Sequence, residues 1–415
     1  MEQLKKRIIF HIDVNSAFLS WEAVFRLSQD KKALDLRDVP SAVGGDRASR
    51  HGIVLAKSTP AKKYGITTGE PLAQALKKCP DLIVVPSRFE VYHDFSQRLL
   101  QILEEYTPDI EKFSIDEAFL DMTSTIHLFG EPVTVADQIR ERVKKELGFT
   151  VNVGIAPNKL LAKMASDFEK PDRCHTLWTE EIPQKMWPLP VRDLFFVGAS
   201  AEKKMQSIGI HTIRDLAHCD LQILKFHLGD KYAAQILCYA NGIDEDPVAK
   251  REPVSKGYGN SITLSRDVSD YDTAFQVLLS LCETVGIRLR KDNVLCSCVC
   301  VELKDWDFHV HSHQMTLDIP TDSTTLLYQN SCKLLREFWD LTPVRLIGVR
   351  ASQISDDSFT QLSLFDTRKS QKLEQMDRAI DRIRQKYGVD SIKRASFLNQ
   401  EALVEHAAGK KKHLS

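Results

Sequence analysis

The 415-residue sequence has no apolar run of the roughly 20 residues that a membrane-spanning helix needs, so a helical membrane protein is excluded. Its nine cysteines form no CxxC pair and no disulfide-type spacing. That argues against a disulfide scaffold and for thiols kept reduced in the cytoplasm. Charge of either sign is not in excess: 56 Lys and Arg face 57 Asp and Glu, for a formal net charge of -1. A globally basic nucleic-acid binder is thereby excluded, and any such contact must come from local patches. The opening residues, Met1-Glu2-Gln3-Leu4-Lys5-Lys6-Arg7, lead straight into a short apolar strand and lack the core of a signal peptide.

What is present is enough apolar material, 43% of residues, to fill the cores of two to about four domains. Within it, Ser114-Ile115-Asp116-Glu117-Ala118-Phe119-Leu120-Asp121 sets two adjacent carboxylates into a strand-like apolar run. Burying such charges without compensation is costly, so a positive partner is expected beside them. On a regular strand the two would point to opposite faces, and only a turn at that point lets them share a cation. A surface turn explains the same pair without any chemistry. A third carboxylate, Asp13, ends the buried strand Arg7-Ile8-Ile9-Phe10-His11-Ile12-Asp13, which passes directly into an apolar helical pattern over residues 14–25. Strand tips of this kind commonly carry sites in open α/β sheets.

The stretch Val54-Leu55-Ala56-Lys57-Ser58-Thr59-Pro60-Ala61-Lys62-Lys63 reads as a strand and then a helix opened by hydroxyls and proline. With its lysines this makes either an anion site or an ordinary capped helix.

Taken together with Asn152-Val153-Gly154-Ile155-Ala156-Pro157-Asn158-Lys159-Leu160-Leu161-Ala162-Lys163, these motifs resemble the Y-family translesion DNA polymerases, the DinB/UmuC group. The resemblance runs from residue 1 to about 355. It implies an α+β multidomain fold, a right-hand polymerase with palm, small fingers, helical thumb and α/β little-finger domain. The expected boundaries are 1–165 for the palm with fingers inserted at about 30–77, 166–240 for the thumb, 250–355 for the little finger, and 356–415 for a C-terminal tail. It implies DNA-directed DNA synthesis from dNTPs on a primer-template, by a monomeric, low-fidelity enzyme without proofreading. Two magnesium ions, with manganese as a possible substitute, would be held by Asp13, Asp116 and Glu117 and by the Val14 carbonyl. Lys163 would reach the triphosphate, and Phe18 would be the aromatic that excludes a 2′-hydroxyl. Thr59 and Lys62 stand where many members have Tyr and Arg, so the nucleotide contact there loses a bidentate fork. Asn15 replaces a frequent aspartate and is not counted as a ligand.

Downstream, Phe196-Val197-Gly198-Ala199-Ser200-Ala201 and residues 208–216 resemble a helix-hairpin-helix, with Phe196 in place of the usual first glycine and Gly198 facing DNA phosphate. A charged, proline-punctuated linker at 244–256 precedes a β-α-β-β-α-β pattern, whose DNA contacts would fall on residues such as Arg266 and Arg345. In it Cys296, Cys298 and Cys300 alternate on one strand and His309, His311 and His313 on the next. Pairing around residues 305–306 is expected to put both sets on one face, opposite a core of Leu295, Val299, Val301, Leu303 and Val310. Without CxxC knuckles, half-buried thiols are preferred there over zinc. Gln361-Leu362-Ser363-Leu364-Phe365 resembles the bacterial sliding-clamp-binding peptide, with Gln361 as polar anchor and Leu364 and Phe365 as apolar plug. An amphipathic helix pattern at 371–387 and a basic end read as a solvated tail. A catalytically inactive DNA- and clamp-binding scaffold and a cyclase on a similar palm remain as alternatives.

Overall fold

A computed structural model describes residues 7–45, 52–249, 255–356, 367–388 and 391–397. Residues to Gly44 and from Ile53 to Glu252 form one compact unit, and those from Pro253 onward belong to a second.

In the first unit β1 (Ile9–Val14) is followed by a helix, Ala17–Gln29, and by three short strands, β2 (Ser41–Gly44), β3 (Val54–Lys57) and β4 (Ile83–Pro86), which make a separate sheet in the order β3-β2-β4. Strands β5 (Ile110–Lys112), β6 (Glu117–Asp121), β7 (Val151–Ala156) and β8 (Cys174–Thr176) then join β1 in a five-stranded sheet, ordered β5-β6-β1-β7-β8. Strands β1 and β7 are buried at every position because both faces of the sheet are covered. Strand alternation divides β1 between two cores. Phe10, Ile12 and Val14 pack into the layer with Trp21, Leu99 and Ile139, whereas Ile9 packs with Leu160, Leu161 and the small helices that follow. His11 and Asp13 share the Ile9 face.

The helix Lys159–Ser166 lies on that face, capped by Asn158, whose side chain accepts from Leu161 N. It packs against Gly154 so closely that a Cβ there would stand 1.9 Å from the Ala162 carbonyl oxygen. Glycine is what allows the helix backbone to rest directly on the sheet. Five further α-helices lie between Ile182 and Ala240, among them Ala199–Gln206, which begins at Gly198. Just before it Phe196 takes a left-handed φ of 73°, the conformation that the usual glycine would adopt without strain.

The second unit has the order β9 (Gly257–Val268), helix Tyr271–Lys291, β10 (Val294–Asp305), β11 (Val310–Thr321), helix Thr324–Phe338 and β12 (Val344–Asp356), in a sheet ordered β11-β10-β12-β9. Its register corrects the expectation for the cysteine and histidine strands. His311 lies opposite Leu303, His313 opposite Val301, and Cys300 opposite Gln314. Directly opposed residues share a face, so the histidines lie on the face opposite Cys300. One residue in the turn decides this parity. The same parity places Val310 opposite Lys304 and leaves it 53% exposed, outside the expected core. The β10–β11 register shifts between Cys296 and Cys298, and both are buried, Cys296 among the core residues. Burial pushes the Cys296 thiol up to about 12, which keeps it protonated and inert.

The expected solvated tail is in part structured. The helix Thr367–Tyr387 is tied to the rest of the second unit by ion pairs from Asp377 and Asp381 to Arg290 and from Arg384 to Glu283, and Arg394, beyond the helix, also pairs with Glu283. No helix among the described residues is long and apolar enough to cross a membrane.

Candidate active site

The register across β6, β1 and β7 assembles one polar row on the sheet. Asp13 is paired with Glu117 on one side and Asn152 on the other, and His11 with Phe119 and Gly154. Asp116 precedes β6 in the bend where Phe113 N and Ser114 N both donate to Glu117 O. The acidic pair therefore straddles the turn that it needs in order to serve one site. Val14 N donates to the Asp116 carbonyl, fixing the bend to the end of β1.

Over this row the helix Lys159–Ser166 extends Lys163. Its ammonium lies 3.0 Å from Glu117 Oε1 and 3.3 Å from Asp13 Oδ2. Lys170 adds a second ammonium, 2.9 Å from Asp13 Oδ2. Burial alone would raise the pKa of Glu117, but His11 and Lys163 hold it down to about 2. Burial raises that of Asp116, reinforced by the neighbouring charges of Glu117 and Asp13 and eased by Ser114, whose hydroxyl donates to it at 2.7 Å. Lys163 and Lys170 stay protonated: burial works against them, and the carboxylates outweigh it.

Among the described residues no three His, Cys, Asp or Glu groups converge closely enough to hold a metal as they stand. The donor set nevertheless suits a hard cation. Asp13 and Glu117 already bracket the Lys163 ammonium, and Asp116, turned toward Ser114, is close enough to feel both of their charges. Asn15 is occupied differently. Its side chain donates to Asn152 Oδ1 and accepts from Thr150 Oγ1 and Asp172 N, so it braces the sheet.

Phe18 stacks on Tyr92 with ring centroids 5.0 Å apart and is partly exposed at the start of the helix Ala17–Gln29. Thr59 and Lys62 are exposed on the one-turn helix after β3, where the Ser58 hydroxyl accepts from Ala61 N. Burial and the charge of Lys62 together lower the pKa of Lys57, so two lysines sit close together on this small sheet. Gly198 begins its helix with open space on its Cβ side. In the second unit Arg266 is exposed on β9, whereas Arg345 forks Asp267 at 3.2 Å and lies over the Phe308 ring. Gln361, Leu364 and Phe365 lie outside the described residues.

Sequence reasoning missed Lys170 and the pair His11–Ser166. A single lysine beyond a helix carries no periodic signal. A histidine in an apolar strand reads as core, although its place two residues before Asp13 puts it on the same strand face.

Comparison with known proteins identifies the family. A family model described as the impB/mucB/samB family matches residues 12–167, its C-terminal domain matches 255–364, and a DNA polymerase-iota thumb domain matches 192–244. The DNA polymerase IV of Clostridium acetobutylicum is 46% identical over 395 residues, covering 95% of this chain and 99% of the relative. DNA polymerase IV 1 of Bacillus subtilis is 36% identical over 400 residues, covering 96% of this chain and 94% of its own. A solved Y-family DNA polymerase chimera superposes with a TM-score of 0.72 at 26% identity, over 84% of this chain and 99% of its own. The chain belongs to the impB/mucB/samB family, the Y-family DNA polymerases.

Proposed function

We propose that this chain, a translesion DNA-directed DNA polymerase, carries out nucleotidyl transfer over Asp13, Asp116 and Glu117. The observation that carries the reading is the Asp13–Glu117 pairing across β1 and β6, with both carboxylates on the Lys163 ammonium. Magnesium, with manganese as a substitute, is the cation proposed. Asp13, Asp116 and Glu117 would hold two such ions, whose chemistry when bound would be to neutralise charge on the attacking and leaving oxygens of the transfer. The Val14 carbonyl, next in sequence to Asp13, would be a further oxygen donor.

The protein's own groups do the rest. Desolvated Asp116 is the carboxylate that gains most from a cation, since burial and its neighbours oppose its charge. Lys163, nearly buried, balances Asp13 and Glu117 before substrate enters, and Lys170, the more exposed of the two, is placed to meet incoming anionic oxygens. Lys57 and Lys62 supply positive charge from the small sheet, with Thr59 beside them, for the triphosphate. Phe18, backed by Tyr92, presents a rigid ring to the sugar and disfavours a 2′-hydroxyl by clash. The amides at the helix start after Gly198 hold DNA phosphate, Arg266 and Arg345 face the duplex, and the segment from Gln361 to Phe365 engages a sliding clamp. The enzyme works in the cytoplasm, as a monomer apart from that clamp.

Primer extension in magnesium on undamaged and lesion-bearing templates tests the reading. Incorporation opposite both supports it, and no incorporation by freshly purified, folded protein would overturn it. Replacing Phe18 by Ala is expected to admit ribonucleotides while deoxynucleotide incorporation continues; unchanged sugar selectivity would remove Phe18 from that role.

A further inference from the structure

His11 is fully buried on β1, with its ring 4.6 Å from Phe119, and neither the fold nor the nucleotidyl-transfer reading accounts for its polar atoms. Nδ1 lies 2.8 Å from Ser166 Oγ. Nε2 faces Glu117 Oε2 at 3.5 Å, inside ion-pair range but beyond a formed hydrogen bond, and it has no other hydrogen-bond partner. Among the acidic groups of the cluster, Glu117 is the one with a different neighbour on each oxygen, since Oε1 is on Lys163 at 3.0 Å.

A neutral imidazole has one donor and one acceptor nitrogen, and a carboxylate can only accept. Facing Oε2, Nε2 must carry the proton, and Nδ1 must accept from the Ser166 hydroxyl. The Ser166 hydroxyl has one proton, so giving it to Nδ1 withdraws it from the Lys163 carbonyl, which lies 2.8 Å away on the helix that delivers Lys163 to the cluster. The chain Ser166–His11–Glu117 thus links the helix to one oxygen of one carboxylate. We propose that His11, held by Ser166, is a positioning residue that fixes the Glu117 carboxylate by Oε2 and so turns Oε1 toward the cation position. The proposal rests on the reading of Asp13, Asp116 and Glu117 as metal ligands. Histidines and carboxylates set behind metal ligands in this way are worth about 10- to 100-fold in affinity elsewhere.

Two near-isosteres separate positioning from packing. In His11→Gln the amide nitrogen reaches the place of Nε2, whereas in His11→Asn the amide stops at the place of Nδ1 and keeps only the Ser166 contact. Both change the packing on Phe119, so both are expected to lower Tm. Manganese is titrated onto each full-length protein with free ion read by electron paramagnetic resonance, and half-saturation for magnesium is read from primer extension. His11→Asn is expected to weaken both by about tenfold, while His11→Gln stays close to wild type and the KM for dNTP is unchanged in either. Equal weakening in both variants, or weakening in neither, would overturn the proposal and leave His11 a packing residue. An Asp116→Ala, Glu117→Ala control tests the underlying reading separately. If it binds manganese as the wild type does, the ligand assignment fails whatever the His11 variants show.

Discussion

Asp116 is held against its electrostatic preference. Its folded pKa lies above the ordinary 3.8 because burial and then the charges of Glu117 and Asp13 oppose ionisation. Between 3.8 and that raised value the folded protein binds more protons than the unfolded chain, so stability falls as pH rises through this window and stays reduced at neutral pH. Asp116→Asn is therefore expected to raise Tm at pH 7 in metal-free buffer, with the gain disappearing on acidification below the ordinary carboxylate range. A lower Tm at pH 7 would show that the carboxylate is compensated after all. Phe196 gives a second test at this scale. A left-handed φ of 73° costs a bulky residue about 1 kcal/mol, and its side chain remains 58% exposed. Phe196→Gly is expected to stabilise the chain by about 0.5 kcal/mol in urea unfolding; a loss of more than about 1 kcal/mol would mean that its contacts with Phe195 and Tyr239 outweigh the strain. The three carboxylates could be picked out in the sequence because each ends or opens an apolar run, but their grouping into one set came from the family resemblance. Lys170 and His11 were not, since their meaning depends on which neighbours the sheet register and the loop after Ser166 bring to them.

Among the elements, the helix Lys159–Ser166 depends on Gly154 and the helix Thr367–Tyr387 on buried charge. Gly154→Ala would drive a methyl group into the Ala162 carbonyl and is expected to cost about 3 kcal/mol or more, with loss of activity as Lys163 is displaced. Asp377 accepts from Thr324 N and Ser323 Oγ at the start of the helix Thr324–Phe338, while Arg290 and Arg394 approach it from the sides. Removing it strips a helix start of its acceptor and leaves a buried arginine partly uncompensated. Asp377→Ala is accordingly expected to cost about 3 kcal/mol of stability in chemical denaturation, and a loss below about 1 kcal/mol would show the C-terminal helix to be loosely held. The periodicity of residues 371–387 announced a helix. Its docking was not legible, because its anchors, Arg290 and Glu283, lie about 100 residues away on another helix. The parity of β10 and β11 escaped for a related reason: alternation gives two faces, and only the turn decides which faces meet.

For the molecule as a whole, the strand-and-helix order of palm, small inserted sheet, helical segment and C-terminal α/β unit followed from local pattern and from resemblance together. Replacement of Leu364 and Phe365 by Ala is expected to abolish stimulation by a sliding clamp and to leave unassisted extension intact; loss of both would contradict a docking role. The central claim concerns the carboxylate row itself. Primer extension should be measured over a magnesium titration for the wild type and the Asp116→Ala, Glu117→Ala variant, with DNA binding followed in parallel. The account predicts magnesium-dependent extension by the wild type and none by the variant at unchanged DNA affinity. Extension by the variant at the wild-type rate would contradict it.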